Sequence, residues 1–164
     1  MNTILQNLIK KSVVICLIFL QATQLSCLAK APLPLPRFAS IKASKMHLRT
    51  GPGNQHPIIW IYHKQHLPVM IIAEYENWRQ IEDYEGTTGW VHHSMLSGKR
   101  YVMVLQKNAS LLHSDDRDAT IKARLDYSIL GLIKDIKPAM VNIKIDDVKG
   151  WIARSDIWGV LKNE

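Results

Sequence analysis

"TTGWVHHSML", Thr87 to Leu96, decides the fold, because its Gly89-Trp90-Val91 returns as Gly150-Trp151-Ile152 within "VKGWIARSDIWG", Val148 to Gly159. Working outward, "WRQIEDYEGTTG" from Trp78 is echoed by "MVNIKIDDVKG" from Met140 with one residue fewer, and "LPVMIIAEY" from Leu67 by "ILGLIKDI" from Ile129. The chain therefore repeats with a period of about 60 residues. A unit of that size buries just enough apolar surface to fold alone, and only marginally. Two such units are expected to stack and stabilise each other.

The segments between turn signals are short and β-prone. "PIIWIY" (Pro57 to Tyr62), "LPVMIIAEY", "WRQIEDY" (Trp78 to Tyr84) and "TGWV" (Thr88 to Val91) are strand-length and rich in Ile, Val, Trp and Tyr. "HKQH", "EN" and "EGT" lie between them, as hairpin connections require. No stretch after the N-terminal segment holds a helical period for long, so the fold class is all-β.

From Leu48 to Leu96 the residues carry a resemblance. Leu48-Arg49-Thr50-Gly51-Pro52-Gly53, Trp78 with Ile81, Gly89-Trp90-Val91 and His93-Ser94-Met95-Leu96 are similar to the pattern of the bacterial SH3-like domain family. The second unit is a degenerate copy: Ser114-Asp115-Asp116 replaces the Gly-Pro-Gly turn and Met140 stands in place of Trp78. "LSGKRYVMV" and the terminal "WGV" resemble a tandem version of the family found in exported alphaproteobacterial proteins. The resemblance implies two tandem SH3-like barrels, residues 37–98 and 99–160, that bind rather than catalyse.

The run "HLRTGPGNQHP", His47 to Pro57, raises a separate question, since a glycine-rich loop beside Arg49 and His56 can cradle phosphate. A phosphate loop needs G-x-x-x-x-G-K-[ST] or G-x-G-x-x-G running into a helix, and neither occurs here. Pro52 suits the second position of a tight turn and Gly53 the third, where a positive φ is expected. The run is read as a turn.

The first 29 residues read as an export signal, with Lys10 and Lys11 before the apolar run Ser12 to Leu20 and Ala29 or Ala31 at the cleavage site. That run is well short of the roughly 20 residues a membrane-spanning helix needs. Residues 30–36, with Pro32, Pro34 and Pro36, form a stiff spacer. Its P-x-P spacing does not match the P-x-x-P register of a polyproline ligand. Both cysteines, Cys16 and Cys27, lie in the signal, so cleavage after Ala29 leaves no thiol or disulfide. Ser26-Cys27 offers an alternative, a lipoprotein box with Cys27 acylated, against which Gln24 stands where a leucine-like residue belongs. The expected location is periplasmic or secreted, with a membrane as partner only if the signal is retained or Cys27 is acylated.

Without Lys10 and Lys11, 19 of the 21 Lys/Arg remain against 14 Asp/Glu, a net charge of +5. No run of five or more like charges occurs. Such a balance suits weak attraction to anionic envelope polymers, and export argues against nucleic acid.

Candidate contact residues are the aromatics of the first unit, Trp60, Tyr62, Tyr75, Trp78, Tyr84 and Trp90, whose flat rings supply contact area at small entropic cost. Strand parity sets Trp78 opposite Ile81 and Trp90 opposite Val91, so burying the aliphatics leaves the indoles near the surface. Arg49, Tyr62, Trp78 and Trp90 are the expected contact face, the rings stacking on sugar or peptide and the guanidinium pairing with a carboxylate. The alternative is that the rings close barrel ends or brace the two units.

Catalytic and metal chemistry find little support. His63-x-x-His66 and His92-His93 would have to converge on a metal, and adjacent strand residues point to opposite faces. Glu82, Asp83 and Glu85, and Asp115, Asp116 and Asp118, are expected in solvated loops; "DDRDATIKARLD" lacks the pattern of a calcium loop. Cell-wall peptidases that carry SH3-like domains keep Cys and His in a separate catalytic domain, for which the chain after Ala29 has neither cysteine nor room, and no G-x-S-x-G occurs. The expectation is a non-catalytic envelope module without cofactor, contacting peptidoglycan or a partner protein. The alternatives are a rigid spacer in an envelope assembly and a histidine-dependent metal hydrolase.

Overall fold

The computed structural model describes residues 33–116 and 118–164. The signal reading, the start of the spacer and Cys27 lie outside the described residues. Pro34–Glu164 form one compact unit. Residues 33–36 are exposed and lead into the first strand.

The first sheet is built from β1 (Arg37–Ile41), β2 (Met46–Arg49), β3 (Ile58–Tyr62), β4 (Pro68–Tyr75), β5 (Trp78–Glu82), β6 (Thr88–His92) and β7 (Leu96–Ser97). Its order is β3-β2-β6-β5-β4-β1-β7, with antiparallel pairings. The second is built from β8 (Tyr101–Val104), β9 (Ala109–Leu112), β10 (Ile121–Leu125), β11 (Leu130–Ile136), β12 (Met140–Ile145), β13 (Val148–Ala153) and β14 (Ile157–Trp158). Its order, β10-β9-β13-β12-β11-β8-β14, reproduces the first strand for strand. A single 3-10 turn follows the Gly-Trp strand in each, His93–Met95 and Arg154–Asp156. The fold is all-β, two small SH3-like barrels.

The Gly-Trp signature has the same steric cause twice. A Cβ on Gly89 would meet Leu48 Cγ at 2.6 Å and Arg49 O at 2.9 Å; one on Gly150 would meet Leu111 Cγ at 2.6 Å and Leu112 O at 2.8 Å. Glycine is thus required where the closing strand crosses the second strand of each barrel, and the next residue but one, Val91 or Ile152, drops fully into the core. His66 and Ser128 correspond in the same way, both with positive φ and each donating its N–H at 2.8 Å to the last carbonyl of its barrel's first strand, Ile41 of β1 and Val104 of β8.

The Gly-Pro-Gly loop turns the chain as expected, but Gly53 does not adopt a positive φ. Gly53 N–H reaches Gly51 O at 3.0 Å and His56 N–H reaches Gly53 O at 3.3 Å. At Gly51 the His56 ring packs over the bare Cα, where a Cβ would lie 2.6 Å from it and displace the ring.

The cores are not independent. The first holds Ile41, Met46, Leu48, Val69, Ile81 and Val91, and also Met103 from β8, with Leu105 and Leu130 packed against it. Across the same junction Phe38 meets Trp158 edge-to-face at 5.1 Å, His66 stacks on Tyr101 at 4.5 Å, and Ser40 Oγ donates to Lys99 O at 2.7 Å. Lending apolar residues across the junction compensates for the small core of each barrel.

Candidate functional site

Strand alternation builds an outer face on the first barrel. Met46 and Leu48 of β2 are fully buried, which turns Lys45, His47 and Arg49 outward. Register carries the face across the sheet: Arg49 pairs with Trp90, Trp90 with Gln80, and His92 with Trp78. Ile81 and Val91 are fully buried on the opposite side, and both indoles are half-buried.

On this face lies a cleft of about 270 Å³ lined by Lys45, His47, Arg49, Asn54, Trp78, His92 and Met95. The His92 ring stands edge-on to Trp78 at 5.6 Å and 85°. It is fixed by Ser94, whose N–H reaches Nδ1 at 3.4 Å and whose Oγ lies 2.8 Å from it. Arg49 Nη1 donates to Asn54 O at 3.0 Å and His56 O at 2.7 Å, so the Gly-Pro-Gly loop anchors the guanidinium. Nη2 and Nε form no hydrogen bond among the described residues. An arginine already held in place loses less freedom on binding. No carboxylate lines the cleft. It is suited to a planar or aliphatic group against the indole beside a carboxylate on the guanidinium.

Of the four expected contact residues, Arg49 and Trp78 meet in this cleft, and Trp90 flanks it on the same face. Tyr62 does not join them. It is buried, and its hydroxyl donates to Asp83 Oδ2 at 2.7 Å. Burial first, then the Asp83 carboxylate, pushes the Tyr62 pKa far above its ordinary value. Asp83, expected in a solvated loop, is buried too and also accepts the N–H groups of Glu85 at 3.0 Å and Thr87 at 2.9 Å. It organises the β5–β6 turn. Lys45, His47, Asn54 and Met95 were not singled out from sequence; alternation through Lys45, His47 and Arg49 was the available signal.

His92 and His93 do approach, with ring centroids 4.7 Å apart, because the strand ends at His92 and strict alternation ends with it. Among the described residues no three of His, Cys, Asp and Glu gather as a metal site.

The second barrel has a cleft at the equivalent place, of about 570 Å³, where Ser110, Leu112, Met140 and Ala153 stand for His47, Arg49, Trp78 and His92. Met140 is buried, so no ring fills the space. Arg154 beside it donates to the carbonyls of Lys137, Leu161 and Glu164, and Asp156 adds a carboxylate. The repeat keeps a cleft at this place, about twice as large, that loses the indole and the cationic side chains of the first barrel and has Arg154 and Asp156 in its lining instead.

The paired barrels define a protein of the SH3-like fold. Residues 42–98 match the family model of the bacterial SH3 domain, and this segment is a bacterial SH3-like domain. Solved structures similar to the chain include NlpC1 from Trichomonas vaginalis, at 12% identity and a TM-score of 0.36, covering 84% of this chain and 51% of that one. NlpC2 from the same organism stands at 10% and 0.36, with 79% and 50% covered. An NlpC/P60 family protein from Bacillus cereus stands at 13% and 0.34, with 74% and 55% covered. The chain thus spans about half the length of these structures. A comparison with curated proteins yields no match.

Proposed function

We propose that this chain is a non-catalytic binding module of the bacterial envelope, whose Arg49–Trp78 cleft takes a carboxylate-bearing extended ligand on peptidoglycan or on a partner envelope protein. One observation carries the reading: Lys45, His47, Arg49 and His92 surround the Trp78 indole with no carboxylate in the lining. The bacterial SH3 domain match supports a binding role. Placement in the envelope rests on the export signal read from residues 1–29.

Retention of the purified protein by isolated sacculi tests it. Retention is expected to fall at least about tenfold for Arg49→Ala and for the Trp78→Ala, Trp90→Ala pair, as loss of a charge-assisted contact or a stacking ring implies. Equal retention of wild type and variants, with unchanged thermal unfolding, removes the glycan version. Crosslinking in cells to one fixed protein, without sacculus retention, favours the spacer instead.

A further inference from the structure

The edge strand β3 is unusual in exposing large apolar side chains on both faces. Ile58, Ile59, Trp60 and Ile61 are 43, 47, 55 and 39% exposed, and only Tyr62 is buried. Alternation would bury every second residue if β3 lay over the core; instead it projects from the sheet, joined along one side to β2. Its other side pairs with no strand among the described residues. An open row of backbone donors and acceptors beside apolar side chains is a template for a further strand.

The repeat supplies an internal control. β10 holds the same edge position, yet Lys122 and Arg124 are exposed along it and Leu125 is buried. Charges of this kind are the usual means of keeping an edge from pairing. The second barrel has that protection and the first does not.

Charge identifies the occupant. From Lys42 to His66, the stretch that holds β2 and β3, the chain carries Lys42, Lys45, Arg49 and Lys64 with four histidines, and no Asp or Glu. The carboxylates near β3 are at its Tyr62 end: Asp83, which is buried and engaged, and Glu85. A second copy would bring the same basic hairpin against itself. Residues 1–32 carry Lys10, Lys11 and Lys30 and no carboxylate, so they match no better. We propose that the open edge of β3 receives an extended segment of another protein, apolar at alternate positions and flanked by carboxylates, as an added strand. This edge is the side of β3 turned away from β2, whereas the Trp78 cleft is walled by His47 and Arg49 of β2, which pair with Ile61 and Ile58.

The test uses the full chain and two labelled, capped peptides sharing the core Thr-Val-Thr-Ile-Thr-Val, one flanked by glutamates and one by lysines. Fluorescence anisotropy should show the glutamate-flanked peptide binding at least about tenfold more tightly than its lysine counterpart, with the difference shrinking as salt rises. Ile59→Lys and Trp60→Thr should each weaken that binding at least about tenfold while the unfolding temperature holds, since both side chains are exposed. Equal binding of the two peptides, binding undiminished by both substitutions, or no binding of either overturns the proposal. So does a concentration-dependent dimer in sedimentation that Ile59→Lys abolishes, which would assign the edge to a second copy.

Discussion

The Tyr62 hydroxyl donates to Asp83 Oδ2 at 2.7 Å inside the first barrel, joining the end of β3 to the β5–β6 turn. The carboxylate also takes two backbone N–H groups, those of Glu85 and Thr87. Leu125 and Ile145 hold the corresponding places in the second barrel, one buried and one packed against its core. The same closure is thus made once by a polar pair and once by an apolar one.

Tyr62→Phe should destabilise the protein by about 1–3 kcal/mol, because a buried carboxylate loses one of its donors. The pH dependence has a definite sign. A tyrosine pKa raised in the folded state means that the native protein holds a proton which the unfolded chain releases above about pH 10. That stabilising contribution is complete below pH 10 and declines as the pH rises beyond it. Tyr84 acts in the same direction, raised first by its hydrogen bond with Tyr127 and then by desolvation. Chemical denaturation between pH 8 and about 12 should show a shallower alkaline decline in Tyr62→Phe than in the wild type; identical slopes would contradict it.

Gly89→Ala and Gly150→Ala should each cost about 1–3 kcal/mol through overpacking against Leu48 and Leu111 and the adjoining carbonyls. Gly98→Ala, where an added Cβ meets nothing within 4 Å, is the control. Thermal unfolding of the three variants side by side makes the comparison.

Met103→Ala removes a side chain of the second barrel from the core of the first, and should cost about 2–5 kcal/mol. Because that residue is shared, calorimetry should show one transition moving down as a whole. Two separated transitions in the variant, with only the second barrel shifted, would show the cores to be independent.

Glu164 is held by Arg100, which donates to both its carboxylate oxygens at 2.6 and 3.0 Å and keeps its pKa below the ordinary value. A lowered carboxylate stabilises the folded state above the unfolded pKa and ceases to do so as the pH falls through the folded one. Glu164→Gln should therefore flatten the acid limb of the stability profile below about pH 4.3. Partial exposure and salt screening keep the change under about 1 kcal/mol.

Period-2 alternation, a local property, was enough in the sequence for the inward course of Ile81 and Val91 opposite Trp78 and Trp90; the doubling was legible in the repeated Gly-Trp signature, and the barrels in its resemblance to the bacterial SH3-like family. Alternation assigns a residue to a face, but whether that face is covered depends on chain far away in sequence. Only the tertiary structure could therefore bury Tyr62 and Asp83, join Arg49 to Trp78 and His92 in one cleft, place Met103 in its neighbour's core, and leave Ile58 to Ile61 uncovered on both sides. Burial is set by what packs across the sheet, and no stretch of the chain contains its own packing partners.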